Sequence, residues 1–177
     1  YLNQVEGTSA RATAESEGAT CEKDTSIKYT LNPAAFRATS DVTETLSQSA
    51  LDTQFAEAGG EDYFTYVNKK VPFARNYADD VTPGKAGEHG THVASLAAAN
   101  GTNFSGIAPN AQIAVLKVFS ANSAGGAGEP AIIAALEDAA KLKLDIVNLS
   151  LGTDLTDFDD TISNITFQAV QGASDAG

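Results

Sequence analysis

The stretch Ala111–Phe119, with Ile113, Val115, Leu116, Val118 and Phe119, is almost continuously apolar. Such a run suits a strand covered on both faces of a parallel sheet, because a half-solvated strand would alternate apolar with polar residues. Pro130 then opens an amphipathic run to about Leu142, and the first helical turn is where proline's missing N–H is tolerated. Ile146–Leu151 reads as another short buried strand. Strand, helix and strand in succession predict a right-handed βαβ crossover, and with it an α/β fold.

The rest of the chain fits around that unit. In Thr43–Ala58, Leu46, Leu51, Phe55 and Ala58 fall near helical spacing, and Gly59-Gly60 supplies a stop. Tyr63–Val67 and Val71–Tyr77 are aromatic and β-branched stretches on either side of Asn68-Lys69-Lys70, a short hairpin or two extended edges. Asp79–Gly87 is a loop carrying Pro83 and Gly84. His89–Ala99 has a helical composition, with Val93, Leu96 and Ala97 on one face and Asn100-Gly101 as its stop. Both histidines, His89 and His92, therefore fall in the first turn of a helix. A further helix is expected from about Asp159 to Gln171, and the sequence stops at Gly177 where another strand would be due. Residues 1–23, rich in Ser, Thr, Ala, Glu and Gly, read as a poorly ordered leading segment.

Charge and cysteine usage narrow the functional classes. With 23 acidic against 11 basic residues the formal charge is −12, which repels nucleic acid and anionic lipid surfaces. The same carboxylates suit calcium, although a merely solvated acidic face is the simpler and preferred account of them. Cys21 is the only cysteine, so neither an internal disulfide nor a paired-cysteine zinc site is available. No apolar run reaches the ~18 residues of a membrane span, and residue 1 is Tyr with no basic-then-apolar leader after it; any export signal is expected outside these residues.

The chemistry concentrates in His89-Gly90-Thr91-His92-Val93-Ala94. This segment closely resembles the histidine motif of the subtilases, the subtilisin-like serine proteases, and most of all their cell-envelope members. The resemblance continues in the family's order through Gly106-Ile107-Ala108-Pro109-Asn110-Ala111, the apolar strand, the glycine-rich Gly125–Gly128, and Asp145-Ile146-Val147-Asn148-Leu149-Ser150-Leu151-Gly152. It implies a three-layer α/β fold with a mostly parallel sheet. Residues 24–177 would then be the N-terminal part of a catalytic domain, with the final strands and the nucleophile helix beyond residue 177.

The resemblance also implies roles. His89 is the general base, since a serine hydroxyl attacks only when an imidazole takes its proton and later returns it to the leaving amine; His92 is a structural neighbour. Zinc is disfavoured, because the helical zinc pair sets its histidines four apart with a glutamate directly after the first, whereas here they are three apart and Glu88 precedes. The orienting carboxylate is expected at Asp24, in Asp24-Thr25-Ser26-Ile27, with Asn32-Pro33-Ala34-Ala35-Phe36 similar to the stretch found after that aspartate in many relatives. Ser26 stands where the family has glycine, and the polar Thr20-Cys21-Glu22-Lys23 stands where it has an apolar strand.

Ser150, Leu151 and Gly152 resemble the segment that pairs with an extended peptide substrate by adding a strand, and Gly126 and Gly128 the opposite wall. The family's nucleophile lies in a Gly-Thr-Ser motif well after these residues; Gly7-Thr8-Ser9 matches the letters but precedes the histidine and is read as coincidence. Two other readings compete: a non-catalytic subtilase-like peptide-binding or structural module, and a flavodoxin-like nucleotide binder, which would need a phosphate-cradling glycine loop that the strand-to-helix turns do not provide. Glycosylation-type triplets at Asn100, Asn103, Asn148 and Asn164 imply nothing about location, Asn148 falling in the expected buried strand.

Overall fold

The computed structural model describes residues 36–59, 63–78, 88–119, 127–152 and 165–176. The leading segment, Asp24, the loop 79–87, Gly126 and Asn164 lie outside them. The described elements are α1 (Gln48–Gln54), a 3-10 turn (Ala56–Ala58), β1 (Phe73–Asn76), α2 (Glu88–Ala98), β2 (Ala114–Lys117), α3 (Glu129–Leu142) and α4 (Ile165–Asp175).

β1 and β2 pair in parallel, with Phe73 opposite Ala114 and Asn76 opposite Lys117. Side chains of a strand point alternately to its two faces, and here each face has its own core. Ala114 and Leu116 pack on the cluster of Leu51, Phe55, Phe64, Phe73 and Leu142. Ile113 and Val115 pack on Phe36, Val71 and Ala99, with Ala94 beside them. α1 and α3 thus cover one face and α2 the other, the two-sided burial that the apolar run predicts, although the strand itself is shorter than Ala111–Phe119. The first core is aromatic: the Phe55 ring lies 5.1 Å from Tyr63, 5.7 Å from Phe64 and 5.4 Å from Phe73.

The expected hairpin is present on the other side of β1. Thr65 and Ala74 exchange backbone hydrogen bonds of 2.8 and 3.0 Å, and the Asn68 side-chain oxygen accepts from the N–H groups of Lys70 and Val71 at 2.8 and 3.0 Å. An asparagine that bonds the backbone two residues on closes a tight turn.

α1 is shorter than Thr43–Ala58 for a specific reason. The N–H groups of Thr45 and Leu46 donate to the Gln112 side chain at 2.9 and 2.7 Å, and that of Thr43 to the Asn110 carbonyl at 2.8 Å. Residues 43–46 are committed to a segment far along the chain, and the helix starts only where Ser47, extended at φ −95° and ψ 154°, caps it by accepting from Ala50 N–H. It also ends earlier than expected, at Gln54 with Phe55 as C-cap, and the 3-10 turn carries the chain on to Gly59, which adopts φ 120° at the expected stop.

α3 begins as expected, with Pro130 in its first turn and Gly128 as N-cap. It ends at Lys143, whose backbone is left-handed at φ 53°, ψ 51° and donates to the Ala139 and Ala140 carbonyls. Beyond it Ile146–Leu151 departs from expectation: the segment is exposed and belongs to no sheet among the described residues, with Ile146 85% accessible. A strand exists only by pairing, and among the described residues no strand pairs with this segment, so its apolar letters supply propensity alone. Asn148 is accordingly exposed rather than buried. α4 packs on α3 and runs to Asp175 rather than Gln171, its expected beginning at 159–164 lying outside the described residues.

Two charged side chains are buried among the described residues, Lys70 and Asp138, and the second joins α3 to β1. Asp138 of α3 is 4% accessible, and it accepts from Arg75 Nη1 at 2.6 Å, Tyr77 Oη at 2.7 Å and Tyr63 Oη at 3.0 Å. The Arg75 guanidinium lies between the Tyr63 and Tyr77 rings, 3.6 and 4.6 Å from their centroids. Burial, reinforced by the hydrogen bond to Asp138, pushes both tyrosine pKa values up and keeps the phenols as donors. Removing one partner of a buried pair strands the other. Asp138→Ala is expected to destabilise the fold by about 3 kcal/mol, with an Arg75–Asp138 coupling above about 1 kcal/mol in a double-mutant cycle followed by urea denaturation. Strictly additive losses would show that the two side chains do not hold one another.

Candidate functional site

His89 lies in the first turn of α2 and is exposed, while His92 is half-buried. An imidazole displayed at a helix end is placed to take a proton from a group arriving from solvent and to return it. Among the described residues a Cβ added at Gly90 would meet no atom within 4 Å, so no described segment packs against this glycine.

The opposite end of α2 is tightly held. A helix leaves its last carbonyls without internal donors, and here one returning segment supplies them. The N–H groups of Gly106, Ile107 and Ala108 donate to the carbonyls of Ala99, Leu96 and Ala97 at 2.8, 3.1 and 2.8 Å. The Asn100 side chain pairs both ways with the Arg37 backbone, accepting at 2.6 Å and donating at 2.7 Å.

The segment behind this strap is fastened as well. Lys70 is fully buried, and its Nζ donates to the Pro109 carbonyl at 2.8 Å and to the Ala111 carbonyl. The Gln112 side chain accepts from Thr45 and Leu46 and donates to the carbonyls of Leu46 and Lys69 at 2.9 and 2.7 Å. Ile113 N–H reaches the Lys70 carbonyl at 2.9 Å. Burial of the ammonium lowers the Lys70 pKa below the ordinary lysine value.

The other expected site residues are dispersed. Asp24 and Gly126 lie outside the described residues. Gly128 is exposed, and a Cβ there would touch only Pro130 Cδ at 3.8 Å, an ordinary contact. Ser150, Leu151 and Gly152 are exposed and belong to no helix or strand, and no described atom lies within 4 Å of where a Gly152 Cβ would stand. The Ser150 hydroxyl accepts from Asn148 Nδ2 at 2.9 Å. Among the described residues no hydrogen bond joins His89 to Gly128 or to Ser150–Gly152. Nor do three His, Cys, Asp or Glu side chains there form a group that could hold a metal ion. A groove of about 440 Å³ between α3 and α4, lined by residues such as Ile133, Leu136, Ile165 and Ala169, contains none of the expected site residues.

Sequence reasoning missed the fastenings of α2. Lys70 and Lys69 are adjacent letters in one polar turn, and only the fold decides that one is enclosed and the other half-buried. Gly106 belongs to a motif that carries the resemblance, but its letters do not say that a helix end lies against it. Gln112 is the one polar residue inside Ala111–Val118 other than Lys117, and a lone amide in an apolar run is a readable sign of a bonded one.

Comparison with known proteins bears on these residues together. A family model described as the subtilase family, peptidase S8, matches residues 20–177. The PII-type proteinase of Lactococcus lactis subsp. cremoris is 37% identical over 123 residues, which is 63% of this chain and 6% of that protein. Minor extracellular protease Vpr of Bacillus subtilis (strain 168) is 41% identical over 76 residues, 43% of this chain and 9% of its own. Subtilisin DY of Bacillus licheniformis is 44% identical over 66 residues, covering 36% and 23%. The aligned part is therefore a small share of each relative. No helix among the described residues is long and apolar enough to cross a membrane.

The lowered pKa of Lys70 has a testable sign. A base whose native value lies below its unfolded value binds fewer protons when folded, so stability at this site rises with pH between the lowered value and the ordinary one of about 10.4. The urea-denaturation stability of the unaltered chain minus that of Lys70→Met is expected to move in favour of the unaltered chain as pH rises toward about 10.4. A difference that stays flat or moves the other way would show that the two carbonyls outweigh the burial.

Proposed function

The chain belongs to the subtilase family, and from that premise we propose that the protein carrying it hydrolyses peptide bonds by acyl transfer with His89 as general base. The observation that carries this reading is His89 exposed in the first turn of α2, with no described atom within 4 Å of a Cβ at Gly90 and the last turn of the helix locked. The imidazole takes the proton of a serine hydroxyl as its oxygen attacks the scissile carbonyl, then gives that proton to the departing amine; water repeats the sequence on the acyl-enzyme. Asp24 is the proposed carboxylate that holds the imidazole tautomer. The serine and the oxyanion-stabilising amide are assigned to sequence beyond residue 177. Ser150–Gly152 and the glycines Gly126 and Gly128 are the proposed walls for an extended polypeptide, joined by backbone pairing. The reaction as written uses no cofactor, and the acidic surface offers carboxylates for a structural calcium ion. The extracellular relative supports action outside the cell or at its envelope.

The polar residues before Asp24 favour a second reading, a peptide-binding module without catalysis. One assay separates the two. In the full protein, His89→Ala is expected to lower kcat on the order of 10⁶-fold, the scale of removing a triad base, on a chromogenic peptide substrate. A variant within tenfold of the unaltered protein would overturn the role of His89, and an unaltered protein that binds peptide without cleaving it would favour the module. The 177-residue chain alone is expected to show no hydrolysis; activity that His89→Ala abolishes would place the nucleophile within it.

A further inference from the structure

We propose that Gly106 is a positioning residue for His89, acting through the helix between them; this rests on His89 being the base. A Cβ built at Gly106 would lie 2.6 Å from Ala98 N, 2.7 Å from Ser95 O and 2.8 Å from Ala97 C. All three are backbone atoms of the last turns of α2 or its end, so no side-chain rotation relieves the contact. Among the described residues the glycine with positive φ is Gly59 and not Gly106. Position 106 therefore requires close approach, not a glycine-only backbone conformation.

The strap cannot easily give way. It donates three hydrogen bonds to the end of α2, and behind it Lys70 and Gln112 tie residues 109–112 to the 69–70 turn and to 45–46. Restoring a carbon contact of about 3.5 Å demands a shift of ~1 Å, and with the strap fastened from behind it is α2, carrying exposed His89, that is displaced. His89 lies about 14 Å from Ala98 along the axis at ~1.5 Å per residue, and a hydrogen-bonded helix transmits the shift as one body. A misplacement of ~1 Å far from the chemistry costs up to about 100-fold in rate.

The test uses the full protein with Gly106→Ala and with Ala108→Pro, which removes the N–H donated to Ala97. Three quantities are read: the imidazole NMR resonances of His89, kcat per active site titrated with an irreversible sulfonyl fluoride, and KM. In Gly106→Ala the His89 resonances are expected to move and kcat to fall about 10- to 100-fold, with KM within about twofold. A purely structural role would lower the melting temperature and the titratable fraction while leaving kcat per site and the His89 resonances unchanged, and that result overturns the proposal. Should Gly106→Ala not fold, the same readouts on Ala108→Pro decide. Absence of hydrolysis by the unaltered protein would overturn the proteolytic reading alone, and the His89 resonances would still decide the strap.

Discussion

The structure depends on the alternation of β2. Because Ala114 and Leu116 face one way while Ile113 and Val115 face the other, a single short strand serves two hydrophobic clusters at once, and every described layer is defined by which cluster it closes. α1 and α3 belong to the Phe55 and Phe73 side; α2, which carries His89, belongs to the Phe36 and Val71 side. A one-residue slip in the register of Phe73 on Ala114 would exchange the two sets of side chains and dissolve both clusters together.

Polar groups then decide how the layers are fixed to one another. The buried Asp138 carboxylate joins α3 to Arg75 of β1, and the Gln112 amide joins β2's approach to residues 45–46 and 69. These are satisfied groups in enclosed surroundings, where an unmet donor or acceptor is costly. They act as directional fasteners where the clusters supply only cohesion. With one cysteine in the sequence, such hydrogen bonds do what an internal cross-link would do in a small disulfide-rich domain.

Much of this was legible beforehand. The apolar run foretold burial on both faces, Pro130 marked the start of α3, and the histidine segment announced a helix with His89 in its first turn. The features that escaped reading were set by partners far along the chain. Thr43, Thr45 and Leu46 have helical letters but give their N–H groups to Asn110 and Gln112; Ile146–Leu151 have strand letters but no pairing strand among the described residues. Lys70 differs from Lys69 only in the chain that folds over it. At the candidate site the histidine was readable from a local motif, whereas Gly106 gains its meaning from a helix end that no neighbouring letter encodes.

Ser150–Gly152 are exposed and belong to no helix or strand among the described residues. As the proposed wall of a substrate cleft, such a segment matches amides and carbonyls common to all peptides. Recognition of this kind is indifferent to most letters on either strand: exchanging Ser150 or Leu151 alters volume at the surface, whereas proline at either position deletes a donor. Discrimination among sequences must then come from the side-chain pockets around the segment. The segment itself is free to drift in composition while its role persists, bounded only by the demand that every residue keep its N–H.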